Sequence, residues 1–115
     1  MAQVTIWHNP RCTKSRQTLA LLEENGVQFQ IRSYLIDVPT EAELAEALKL
    51  LGLGAAEFIR HKETAFKAME LSKDMDDAKL ITAMTQEPKL IERPVVFANG
   101  KAAIGRPPEN VLAIL

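Results

Sequence analysis

Ile6-Trp7-His8-Asn9-Pro10-Arg11-Cys12-Thr13-Lys14-Ser15-Arg16 holds the single cysteine of this 115-residue chain. Before it runs a short apolar segment, Val4-Thr5-Ile6-Trp7, that reads as a strand over residues 3–7. After it, Leu19, Leu22 and, less regularly, Leu21 recur on one face of a helix expected from about Cys12 to Asn25, with Gly26 as its stop. Cys12 is thus expected where a strand ends, a loop turns and a helix begins. Backbone N–H groups lack intrahelical partners at such a point, and the helix dipole is positive there. Both favour thiolate over thiol, so the Cys12 pKa should lie below that of a free cysteine and the sulfur should be a usable nucleophile. Arg11, Lys14 and Arg16 add positive charge, and Ser15, one helical turn on, can offer its hydroxyl to the sulfur. A lone free cysteine is also commonly a small buried hydrophobe. Pro10, the flanking cations and the strand–loop–helix setting favour the reactive reading.

Beyond Gly26, the segment Val27 to Tyr34 alternates apolar and polar residues, as a half-buried strand does. Strand, helix and strand so close together imply a right-handed βαβ unit. Thr40-Glu41-Ala42-Glu43 has the form of a capping box, opening a helix to about Leu51. Residues 55 to 87 read as wholly helical, in two or three short helices. Asp74-Met75-Asp76-Asp77 suits a helix start; it lacks the glycine and terminal glutamate of a calcium loop. Val95-Val96-Phe97-Ala98 and Lys101-Ala102-Ala103-Ile104 flank Asn99-Gly100, a hairpin signal. Glu109 to Leu115 reads as a terminal helix. The fold class that results is α/β: a four-stranded mixed sheet flanked by helices, with an all-helical insertion at about residues 40–90 between the second and third strands. All 115 residues are expected to form one domain.

Composition narrows the function. A net charge of −1 gives no general pull toward nucleic acid or anionic membranes. One cysteine cannot form an internal disulfide or a cysteine-based zinc site. No apolar run is long enough to span a bilayer, and no basic region followed by an apolar core opens the chain. The expectation is a cytoplasmic protein, monomeric at this size and charge, with no metal and no bound cofactor.

The element order resembles the thioredoxin/glutaredoxin arrangement, and the motifs resemble one branch of it, the glutaredoxin-linked arsenate reductase family and its short-chain relatives. His8-Asn9-Pro10-Arg11-Cys12-Thr13-Lys14-Ser15-Arg16 is similar to that family's nucleophile loop, and Phe58-Ile59-Arg60-His61-Lys62-Glu63 to its central arginine segment. Ile91-Glu92-Arg93-Pro94-Val95-Val96 and Ile104-Gly105-Arg106-Pro107-Pro108 are similar to its last two motifs. The resemblance implies that Cys12 attacks arsenate or a similar oxyanion, and that Arg60, Arg93 and Arg106 bind it. It implies that His8 helps tune the charge of the cysteine and that Pro94 is a cis-proline facing the sulfur. Guanidinium groups suit the task, since their paired donors match the oxygens of a tetrahedral anion and stay charged.

Once sulfur is joined to arsenic, a second thiol must complete the reduction. Ser15 stands where a CxxC motif would carry it. The resemblance therefore implies glutathione as co-substrate, followed by glutaredoxin. Two other readings share the fold. One is a monothiol glutaredoxin-like protein acting on glutathione or protein mixed disulfides. The other is a regulatory binding protein that docks on a partner such as RNA polymerase; its relatives generally carry CxxC and lack the full arginine set.

Overall fold

The computed structural model describes residues 4–115; residue 3 of the expected first strand lies outside them. Strand β1 (Val4–Trp7) leads through the cysteine loop into helix α1 (Thr13–Glu24), and β2 (Phe29–Arg32) follows. Helices α2 (Glu41–Leu51), α3 (Ala55–Phe58), α4 (Thr64–Ala68) and α5 (Asp77–Gln86) come next, then a 3-10 turn over Pro88–Leu90. Strands β3 (Val95–Ala98) and β4 (Lys101–Ile104) and a 3-10 helix over Pro108–Ile114 complete the chain. The chain divides into two compact units: the residues up to Asp37 with Arg93–Leu115, and Val38–Glu92.

The first unit is the four-stranded mixed sheet, in the order β2-β1-β3-β4. β1 pairs in parallel with β2 and antiparallel with β3, which pairs antiparallel with β4. Alternation along β1 and β3 sends Val4, Ile6, Val96 and Ala98 to one face, where Leu22 of α1 and Val111 and Ile114 of the last helix close a core. The buried stripe of α1 is Ser15, Thr18 and Leu22, so two polar side chains occupy positions that apolar periodicity alone would not select. The other face carries Trp7 and Phe97, diagonal neighbours across the β1–β3 pair with ring centroids 4.9 Å apart.

One expected strand is corrected, and the terminal helix takes a tighter form. β2 is shorter than residues 27–34, because its ladder is limited to the four residues of β1 that it pairs with, and Ile31, on this edge strand, is 51% exposed. The final helix is a 3-10 helix: side chains three apart eclipse in that geometry, which stacks Val111 and Ile114 toward the core. The hairpin turn is as read, with Asn99 and Gly100 at φ 54 and 73, the left-handed pair of a type I′ turn.

The second unit is the helical insertion between β2 and β3. α5 packs on both α2 and α3. Leu44, Phe58, Leu80 and Met84 are buried. Residues 55–87 are not wholly helical. Ile59 turns extended (φ −66, ψ 140) and the Arg60 N–H bonds the Leu90 carbonyl at 2.8 Å, so a long-range partner ends α3. Glu70 at φ 54 breaks the chain again after α4. The acidic run is a helix start: Asp76 caps α5 through the Lys79 N–H, and Asp77 Oδ1 accepts the Ala55 N–H at 3.2 Å. The capping box of α2 is complete, with Glu43 N–H on Thr40 Oγ1 at 3.1 Å and Thr40 N–H on Glu43 Oε1 at 2.9 Å. Thr40→Ala is expected to lower stability by about 1 kcal/mol in urea unfolding; an unchanged midpoint would show that the cap contributes nothing.

Candidate active site

The turn signal Asn9-Pro10 bends the chain out of β1, and three bonds from Asn9 set the loop that follows. Its carbonyl accepts the Cys12 N–H at 3.0 Å, its Oδ1 accepts the Arg11 N–H at 3.0 Å, and its own N–H donates to Ser15 Oγ at 3.0 Å. Arg16 clamps the same loop, donating to the Pro10 carbonyl at 2.8 Å and to Thr13 Oγ1 at 3.2 Å. These bonds place Cys12 at the N-cap of α1, in extended conformation (φ −93, ψ 123) and half-buried. Neither Asn9 nor Arg16 stands out as a positioning residue in the sequence, although Asn-Pro is itself a turn signal.

Arg106 reaches Cys12 from the far end of the chain. Its Nη2 lies 3.4 Å from Cys12 Sγ, and its Nε donates to the Arg93 carbonyl at 2.8 Å. The peptide bonds Arg93–Pro94 and Arg106–Pro107 are both cis, so each of these arginines precedes a cis-proline. Burial alone pushes the Cys12 thiol up. The Ser15 backbone N–H, a hydrogen bond and charge from Arg93, and charge from Arg106 outweigh it, and the pKa falls below the ordinary thiol value.

The structure redistributes roles among the expected residues. The Ser15 backbone N–H favours the thiolate, while its buried hydroxyl is taken up by Asn9 N–H and by His8 Nδ1 at 2.7 Å. His8 is buried against Ser15. Burial first, and the charge of Arg16 second, lower its pKa and favour the neutral imidazole. The cations acting on Cys12 are Arg93 and Arg106 rather than the sequence neighbours Arg11, Lys14 and Arg16. Cys12, Ser15, Arg93, Pro94 and Arg106, with His8 behind Ser15, all belong to the sheet unit.

Arg60 belongs to the helical unit. There its Nη1 meets Glu92 Oε1 at 2.9 Å and its Nε meets Glu63 Oε2 at 3.3 Å. Burial would lower its pKa, but the two carboxylates raise it, and Arg60 stays charged. Glu63 is a helix-spacing neighbour three residues away; Glu92 is a partner that no local pattern reveals. Among the described residues no three His, Cys, Asp or Glu side chains group as metal ligands, and no helix is long and apolar enough to cross a membrane.

This arrangement is a cysteine at a helix start with a lowered thiol pKa and guanidinium groups beside it, suited to attack on an anionic electrophile. Comparison with known proteins points the same way. The protein YfgD of Escherichia coli K12 is 51% identical, covering 98% of this chain and 97% of its own length. An arsenate reductase of Neisseria meningitidis serogroup A is 44% identical over the full length of both chains. The solved structure of an arsenate reductase from Vibrio cholerae superposes with a TM-score of 0.94 at 47% identity, over 98% of each chain. The sequence model of the ArsC family matches residues 7–114. That match runs from the last residue of β1 to the last residue of the C-terminal 3-10 helix, and the chain belongs to the ArsC family.

Proposed function

We propose that this protein reduces arsenate to arsenite with Cys12 as nucleophile, glutathione as co-substrate and glutaredoxin as the regenerating partner. The observation that carries the reading is the Arg106 guanidinium 3.4 Å from Cys12 Sγ, with the charge of Arg93 acting on the same sulfur. The same donors that hold a thiolate would offset the charge of an incoming oxyanion, which would otherwise be repelled. Relatives named arsenate reductase support the choice of anion. Arg60 takes the third anion-binding role on the strength of the family resemblance, and Pro94 and His8 are supporting residues.

In the proposed sequence the Cys12 thiolate attacks arsenic and displaces one hydroxyl, which takes a proton from solvent and leaves as water, forming a sulfur–arsenic(V) bond. A glutathione thiol supplies the second sulfur. The glutathione sulfur attacks the Cys12 sulfur to form a disulfide, the sulfur–arsenic bond breaks with its electron pair left on arsenic, and the thiol proton passes to an oxygen of the departing arsenite, now arsenic(III). Glutaredoxin then removes the glutathione by thiol–disulfide exchange and returns Cys12 as thiolate. The chain has no second cysteine for an internal disulfide. The protein is proposed to act as a monomer in the cytoplasm, where glutathione is reduced.

The test is NADPH consumption coupled through glutathione reductase, glutathione and glutaredoxin, with arsenate and a small glutathione mixed disulfide as rival substrates. Turnover of arsenate is the expected result. Turnover of the mixed disulfide alone would transfer the protein to the monothiol glutaredoxin-like reading.

A further inference from the structure

We infer that Gly105 is a positioning residue for the active sulfur: lacking a β-carbon, it lets the end of β4 lie against Thr18 and Pro94, and that close approach sets how near the Arg106 guanidinium comes to Cys12 Sγ. Gly26, Gly52 and Gly100 have φ of +67, +70 and +73 and nothing within 4 Å of where a β-carbon would sit. Those three serve backbone conformation. Gly105 differs in kind, because its φ lies outside the left-handed region and its requirement is one of space. A β-carbon there would stand 2.8 Å from Pro94 Cγ and 3.1 Å from Thr18 Cγ2, and closer still to Thr18 Oγ1. Real carbon atoms do not pack at such distances, so something must move.

Neither neighbour can easily give way. Thr18 is fully buried, β-branched, and tied by its hydroxyl to the Lys14 carbonyl at 2.8 Å within α1. The ring of Pro94 has no rotatable side chain, and the Pro94 carbonyl accepts the Gly105 N–H at 3.0 Å. The part free to shift is the strand end itself, which carries Arg106 as the next residue. Arg106 spans two acceptors, the Arg93 carbonyl at 2.8 Å and Cys12 Sγ at 3.4 Å. Hydrogen bonding weakens steeply with distance and misalignment, so a small displacement of the strand end removes Arg106 from the sulfur. The path from Gly105 to the sulfur thus runs through one residue.

The test rests on Cys12 being the reacting thiol and reads that thiol directly, so it stands apart from whether arsenate is the substrate. Cys12 is the only cysteine, and iodoacetamide labelling against pH reports its titration in the full-length protein without interference. The variants are Gly105→Ala, Arg106→Ala, Thr18→Ala, and the doubles Gly105→Ala with Arg106→Ala and Gly105→Ala with Thr18→Ala. In Gly105→Ala the labelling midpoint is expected to move to higher pH by most of the displacement seen in Arg106→Ala. Adding Gly105→Ala to Arg106→Ala should move it no further. Thr18→Ala removes two of the three close contacts and leaves Pro94 Cγ, so the double with Gly105→Ala should return part of the way toward wild type.

A folded Gly105→Ala protein with an unmoved midpoint would overturn the inference. So would a full displacement added on top of Arg106→Ala. If Gly105→Ala alone does not fold, its double with Thr18→Ala decides. A folded double with a midpoint below that of Arg106→Ala supports the spacing role. An unfolded double, or one with a midpoint as high as that of Arg106→Ala, refutes it.

Discussion

Cys12→Ser abolishes thiol-coupled turnover, with a loss of at least about 10^3-fold, to the level of the assay without protein. Serine is a favoured N-cap residue, whose hydroxyl can accept an N–H of the first helical turn. The loop bonds from Asn9 and Arg16 use the backbone of Cys12 or none of it, so they survive the exchange. The fold should therefore persist, with circular dichroism and the unfolding midpoint close to wild type. What is lost is chemical: an alcohol is not ionised near neutral pH and cannot later enter a disulfide with glutathione. Residual turnover in Cys12→Ser above background would move the nucleophile elsewhere and overturn the mechanism.

Arg106→Ala and Arg93→Ala each lower kcat/KM for arsenate by about 10^2-fold, the usual cost of removing one donor to a developing anion. Both also raise the Cys12 pKa. The sign follows from the causes. Burial favours the thiol, and it is opposed by the Ser15 N–H, Arg93 and Arg106. Taking away either arginine leaves burial less opposed, so the thiol persists to higher pH. An alkylation curve should have its midpoint below the ordinary thiol value in wild type and above the wild-type midpoint in each alanine variant. Between the two midpoints the wild type reacts as thiolate while the variant is mostly thiol. A wild-type midpoint at the ordinary thiol value would contradict this electrostatic account.

Lysine at either arginine position restores charge without restoring full activity. Arg106 spans the Arg93 carbonyl and the Cys12 sulfur with separate nitrogens of one planar group. An ammonium is a point donor and cannot hold that span. Wild-type activity in Arg93→Lys or Arg106→Lys would show that charge alone suffices.

Much of the fold was legible in local patterns. The capping box at Thr40 and Glu43, the Asn99-Gly100 turn and the strand–loop–helix around Cys12 involve residues within a few positions of each other, where spacing and type decide geometry. The helical block was read as more continuous than it is. The N–H of Arg60 finds the Leu90 carbonyl, and Glu70 takes a left-handed conformation, neither of which a local pattern announces. Within the site, the sequence pointed to Cys12, and a family resemblance to Arg93 and Arg106. Proximity in the chain suggested the wrong charges and the wrong atom of Ser15.

Residue order by itself determined that one cysteine would cap a helix after an apolar strand, because propensity, capping and dipole act over a single turn. It also determined that any second thiol must come from another molecule, because the chain has only one. Only the tertiary structure decided which cations face the sulfur. Arg93 and Arg106 follow Cys12 by most of the chain's length, and they meet it because β3 joins β1 and β4 ends against α1. It likewise decided that the Ser15 hydroxyl turns to His8 and Asn9 rather than to the sulfur. Electrostatics acts through space, and distance in space is set by packing.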